Sequence, residues 1–175
     1  MSLERQQSEL YWKLDRLGRV RLSTNFYMRQ FLYSEIAVMS GIINFPDNPD
    51  LAVRTGTQLC KQILEPIVSR YGQIVLRSGF RSVAVNGFGA LHRLQCASNA
   101  NNYAYHIWDH VDANGHCGAS ACLIIPAVNT AKFAAVADLV AFIKSELNFN
   151  EVAFFARETS FNIGWHEHPV RSVRR

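Results

Sequence analysis

"AYHIWDHVDANGHCGASACLIIP", residues 104–126, holds three histidines, two aspartates and two cysteines, and its reading decides how the chain is taken to fold. "HIWDHV" and "GASACLIIP" both have the apolar and β-branched content of strands, and "DANG" between them is a turn sequence. The stretch therefore predicts a β-hairpin. If Ala113, Asn114 and Gly115 form a three-residue loop with Gly115 in the left-handed position of a bulge, Asp112 faces His116, His110 faces Gly118, and His106 faces Cys122. Side chains directly opposite on one face lie roughly 5 Å apart at Cβ, within reach of a shared metal. A two-residue turn sets His106 against Ala121 instead and sends Cys122 to the other face.

Working outward, His106 is the leading metal candidate, with Asp109 or Cys122 as its neighbouring donor. "GWHEHP", residues 164–169, adds a second cluster of His166, Glu167 and His168. Histidines from two strands that meet a third donor hold catalytic zinc and leave the fourth position open to water. Competing roles exist for each residue. Asp112 is expected to bond the turn's own backbone, and Cys122 inside an apolar strand suits a small buried hydrophobe. His110 and His116 are expected to face solvent.

The bulk composition sets limits. A chain of 175 residues, about half apolar, is read as one domain, residues 1–175, that needs no disulfide framework. Cys60, Cys96, Cys117 and Cys122 form no CxxC pair and are expected to be reduced thiols. A formal charge of +4, spread along the chain, does not by itself argue for nucleic acid. "RSVRR" at 171–175 is expected to be part of a solvated basic tail, residues 170–175. The N-terminus lacks an apolar h-region, and no segment reaches the ~18 apolar residues of a membrane span. Synthesis in the cytoplasm without a signal peptide is the expectation.

Residues 1–20 predict a peripheral helix, with Leu3, Leu10, Leu14 and Leu17 as its sparse apolar positions. Asn48 and Pro49 in "NFPDNPD" read as an N-cap and first helical residue. The helix they start carries Leu59, Ile63, Ile67 and Tyr71, stops at Gly72, and should kink near Gln62 because of Pro66. "QIVLRSGF" predicts a strand, residues 83–103 a long functional or mobile loop, and residues 129–147 a helix with Phe133, Val136, Val140, Ile143 and Leu147 on one stripe. "EVAFFA" and "FNIGWH" predict two more strands. The order favours an α+β fold with a small, mainly antiparallel sheet packed against helices.

"LSTNFYMRQFLYSEIAVMSGIINFPD" (22–47), "LCKQILEPIVSRYG" (59–72) and "IVLRSGFRSVAVN" (74–86) resemble the opening of the zinc D-alanyl-D-alanine carboxypeptidase family. That family includes phage-type endolysins and shares a fold with the Hedgehog signalling domain. The resemblance is strongest from Leu22 to Asn86 and continues through "GASACLIIP", "LNFNEVAFF" and the late "WH". It implies that Arg81, with Arg77 as second choice, binds a substrate carboxylate, a role that suits a planar guanidinium. A structural ion pair at a strand end is an equal alternative for Arg77.

The family's metal motif is SxHxxGxAxD, followed later by a histidine after tryptophan. Gly118 matches its glycine, Ser120 its alanine and Cys122 its aspartate, while its histidine falls at Gly115. The resemblance therefore implies zinc held by His106, His166 and either Asp109 or Cys122. The general-base glutamate falls near Phe155, which cannot accept a proton, leaving Glu167 or Glu158 as substitute. The implied activity is zinc-dependent cleavage of peptidoglycan peptides or related D-amino-acid peptides, by carboxypeptidase or endopeptidase action. Holin-like release to the wall, or a cytoplasmic peptide substrate, would reconcile that activity with a missing signal peptide. The alternative is a non-catalytic descendant that binds a peptide or protein partner. A nucleic-acid module, resting on charge and the tail alone, ranks third.

Overall fold

The computed structural model of the chain describes residues 3–128, 133–155 and 159–174. Its helices are α1 (Leu3–Gly18), α2 (Glu35–Ser40), α3 (Pro49–Leu59), α4 (Glu65–Tyr71), α5 (Val83–Leu91), α6 (Asn99–Asn102) and α7 (Phe133–Glu146). The strands are β1 (Val75–Ser78), β2 (Gly118–Ile124), β3 (Glu151–Phe154), β4 (Ser160–His166) and β5 (Ser172–Arg174). They form one sheet in the order β1-β2-β4-β3-β5, antiparallel except for the β3–β5 pair. The expected α+β class with a mainly antiparallel sheet against helices is what the chain adopts.

The local signals explain most elements. Asn48 Oδ1 accepts the Leu51 N–H at 3.1 Å, with Pro49 at the first helical position. Pro66 lacks an N–H for the Gln62 carbonyl, and the helix answers with a π turn over Cys60–Leu64 that joins α3 to α4. Leu59, Ile63 and Ile67 from this unit are fully buried, as are Leu139 and Ile143 of α7. They cover the face of the sheet formed by Ala119, Ala121, Leu123, Phe161, Ile163 and Trp165. α1 leaves Tyr11 and Trp12 exposed and buries Leu17. Among the described residues, no helix is long and apolar enough to cross a membrane.

Three expectations are corrected. First, "HIWDHV" is not a strand, and the His106–Cys122 and His110–Gly118 pairs do not form. Both edges of β2 are already taken near Cys122, which pairs with Ser78 of β1 and Asn162 of β4, and Gly118 pairs with His166. Residues 104–110 instead fold back on themselves, with the Ala104 N–H bonded to the Ile107 and His110 carbonyls at 3.2 and 2.9 Å. The Asp112–His116 end of the expected turn does form, with the Asp112 N–H bonded to the His116 carbonyl at 2.9 Å and Gly115 at φ +83°.

Second, the expected loop over 83–103 contains α5 and α6. Gly87 and Gly89 hide α5 from propensity, but a Cβ at Gly89 would lie 2.6 Å from Cys96 Sγ and 2.9 Å from Ile36 Cδ1. Glycine there lets α5 pack closely on Ile36 of α2 and on Cys96, whose side chains would have to shift for a larger residue. Third, the "RSVRR" stretch is not a free tail. Residues 172–174 pair in parallel with β3, and Arg171 donates to the Leu147 and Lys144 carbonyls at the end of α7 at 3.1 and 2.6 Å. A cation is favoured at that negative end of the helix dipole.

Candidate functional site

Strand alternation gives the sheet a second face, made of Ser120, Cys122, Asn162, Gly164 and His166, with Gly118 at its end. The segment 104–108 runs along β2 where β1 has ended. There the Ser120 N–H bonds the Tyr105 carbonyl at 2.8 Å, and Trp108 Nε1 donates to the Ser120 carbonyl at 3.0 Å. The Tyr105 side chain crosses the face beside Gly164, and its hydroxyl reaches Glu151 at 3.3 Å. Burial and the Glu151 charge raise the Tyr105 pKa, so the crossing phenol stays neutral. Tyr105 thus stands between a first hollow, with a neighbour adjoining it, and a second hollow beyond.

The first hollow, about 300 Å³, is lined by Arg77, Ser78, Arg81, His106, Cys122 and Asn162, with Phe155 at its edge. A neighbouring hollow of about 340 Å³ shares Arg81, His106, Phe155 and Asn162 and adds Tyr105 and Arg174. Arg77 occupies a register shift between Leu76 and Ser78, a bulge that re-aims its side chain from the sheet edge into this cleft. Its Nη1 lies 3.5 Å from the Ser160 hydroxyl.

His106 is 2% exposed, and its Nδ1 donates to the Gly79 carbonyl at 2.9 Å, which leaves the lone pair on Nε2. Burial, then the Arg81 charge, hold its pKa down to about 3 against the opposing Gly79 bond. It is a neutral imidazole at any ordinary pH.

Arg81 is fixed from behind. Its Nη1 donates to Asn86 Oδ1 at 3.3 Å and also contacts Cys96 Sγ, and its backbone N–H bonds the His106 carbonyl at 2.8 Å. Asn86 is fully buried and is tied in turn to the Ala97 carbonyl, Asn99 and Asn102 at 3.1, 2.8 and 3.1 Å. These asparagines are the functional residues the sequence reading missed. Their clustering in 86–102 is the sequence signal for this network, and the same composition is that of a loop. Asn86→Ala strands several buried polar groups, and at ~1–3 kcal/mol for each group left unsatisfied it is expected to cost about 2 kcal/mol of stability in urea unfolding.

The second hollow, about 540 Å³, lies beyond Tyr105 and is lined by His166, Asp112, Glu151, Asn102 and Arg174 among others. His166 Nε2 lies 3.3 Å from Asp112 Oδ2, and the His168 N–H donates to His166 Nδ1 at 3.1 Å. Asp112 does serve its own turn, accepting the Asn114 and His116 N–H groups at 2.9 Å each, and those bonds lower its pKa. The His116 ring packs on His168 with centroids 4.1 Å apart.

Glu167 belongs to neither hollow. It follows the alternation of Trp165 to the helical side of the sheet, accepts the Cys117 N–H at 2.7 Å, and has its pKa lowered chiefly by that bond. Arg54 of α3 approaches the Cys117 thiol there at 3.1 Å. Glu158 lies outside the described residues.

The residues singled out for zinc are therefore distributed over three places. Cys122 and His106 share the first hollow. His166 stands four strand positions from the Cys122–Asn162 pair, roughly 13 Å along the strand at ~3.3 Å per residue. Asp109 Oδ2 is engaged by the Asp47 and Asn48 N–H groups at 2.7 and 3.2 Å. His106, Cys122 and His166 do not fit one zinc ion. Among the described residues, the group of at least three metal-binding side chains with donor atoms all within 4.8 Å is Asp47, Asp109 and His110. No family model, curated protein or solved structure matches this chain.

Proposed function

We propose that this chain is a non-catalytic peptide-binding domain with a DD-peptidase-like fold, and that it takes the free carboxylate of a peptide C-terminus in the Arg81 cleft. Arg81 carries the reading. Its Nη1 is anchored by Asn86, while its Nε is buried with no hydrogen-bond partner. A buried donor left unmade is costly, and a carboxylate is the acceptor that a guanidinium edge matches best. Arg77 adds a second positive charge to the cleft, and the neutral His106 imidazole suits an amide of the bound peptide better than an imidazolium would.

Hydrolysis has less support from the same geometry. Asn162 faces Cys122 at the centre of the cleft, Phe155 closes its edge, and among the described residues the carboxylate beside His166 is Asp112, which lies with it in the second hollow and away from His106. Zinc at those residues, with Glu167 as base, would require His166 and Glu167 to leave their present partners.

Calorimetry with a stem-type peptide ending in D-alanyl-D-alanine, beside the same peptide as its C-terminal amide, tests the proposal. The acid is expected to bind and the amide to bind weakly. Arg81→Ala is expected to lose about 1.5–3 kcal/mol, roughly a 10- to 150-fold weakening. Zinc-dependent release of D-alanine by wild type would establish the peptidase instead. Equal binding of acid and amide would dispose of the carboxylate role.

A further inference from the structure

We infer that Asp47, Asp109 and His110 form a binding site for one zinc-like divalent cation, separate from the Arg81 cleft. Two buried polar atoms point to it. Asp109 Oδ1 and His110 Nδ1 are both out of contact with solvent and both lack a hydrogen-bond partner, yet they lie 3.4 Å from each other. The Asp109 side chain is 1% exposed. Two ligands of a tetrahedral zinc ion, at about 2.0–2.1 Å each, stand about 3.3 Å apart. The two atoms therefore have the separation of a metal-ligand pair and lack the alignment of a hydrogen bond.

The surroundings fit the same occupant. The other oxygen of Asp109 is held by the Asp47 and Asn48 N–H groups, which turns Oδ1 towards His110 and fixes the carboxylate as outer-shell bonds do around a metal. The His110 ring is stacked on Tyr103, with centroids 4.9 Å apart and planes at 13°, so its Nδ1 is also directed. Asp47 is exposed and brings its carboxylate to within 4.8 Å of the other two donors. Two carboxylates neutralise a divalent charge, and the exposed side leaves a coordination position for water. An imidazole in the set favours zinc over the hard cations calcium and magnesium. The ion would join the turn before α3 to the segment 103–110, which carries His106 and Tyr105 into the clefts.

Zinc titration of the chelator-stripped full chain, followed by calorimetry and by thermal unfolding, tests this. One ion per chain and a raised Tm are expected for wild type. Asp47→Asn and His110→Gln, both at positions accessible enough to leave the fold intact by circular dichroism, should each weaken binding by more than the roughly 10- to 100-fold that an outer-shell loss costs. Cys122→Ser and His166→Gln should leave binding unchanged. Cobalt in place of zinc should give the visible spectrum of a tetrahedral site in wild type and not in His110→Gln. The inference is overturned if the stripped wild type binds no zinc, if folded Asp47→Asn and His110→Gln bind as wild type does, or if zinc binding depends on Cys122 or His166.

Discussion

Gly118→Ala is expected to destabilise the chain by about 3 kcal/mol or more, towards the upper end of overpacking costs. A Cβ at Gly118 would lie 2.1 Å from the Ala104 carbonyl oxygen, 2.8 Å from His166 Cδ2 and 3.0 Å from the Trp165 carbonyl oxygen. Two of these three neighbours are backbone, so no rotamer change relieves the clash. Ala104 cannot withdraw either. It already sits at φ +54°, and its N–H is shared between the Ile107 and His110 carbonyls. Relief requires the 104–110 fold-back to lift from β2, taking Tyr105 off the polar face and His106 out of its pocket. For a domain of this size about 3 kcal/mol corresponds to a fall in Tm of roughly 6–12 °C. Gly115→Asn is the control, because Gly115 has a positive φ but open space around its Cβ position. It should cost far less. Urea midpoints of the two variants compare them directly, and a Gly118→Ala protein as stable as wild type would mean that the segment does not cross as described.

The same contact shows why the candidate site was only partly legible from the sequence. Elements set by neighbouring residues could be read: the Asn48–Pro49 start, the Pro66 disturbance, the Gly72 stop, and the strands around Leu76, Leu123 and Ile163. Side-chain chemistry was legible too, since Arg77, Arg81, His106 and Cys122 do line one cleft. The partner of Cys122 was not. That depends on β1, some forty residues upstream, occupying the edge that a local hairpin would have used. Helix α5 was hidden because its glycines sit at packing contacts, Gly89 against Cys96 and Ile36 and Gly87 against Asn99, and sequence periodicity carries no information about such contacts. His110, read as a solvent-facing hairpin residue, owes its buried nitrogen to the same fold-back.

Lowering the pH below about 6.5 is expected to destabilise wild type through His106, by about 1.4 kcal/mol per pH unit, or about 3 kcal/mol by pH 4. The folded pKa of His106 is about 3, below the ordinary value of 6.5 for an unfolded histidine. Between those values the unfolded chain binds a proton that the folded chain refuses. Stability is therefore complete above pH 6.5 and falls as the pH drops towards 3. Burial is the main cause and the Arg81 charge the second, so acid tests whether the imidazole is enclosed beside that guanidinium. The carboxylates with lowered pKa values, Asp112, Glu65, Glu167 and Glu9, add their own losses mainly within or below the ordinary carboxylate range. The interval from about pH 6.5 to 5.5 therefore contains little loss from those groups, which begin to contribute only towards about pH 4.5. His106→Asn keeps a donor for the Gly79 carbonyl but has nothing to protonate. Its stability should start lower at pH 7 and stay nearly level across that interval, while wild type declines to meet it. Parallel pH profiles for the two proteins would show that the His106 ring accepts a proton in the folded chain, and that the Arg81 cleft is more open to water than its walls imply.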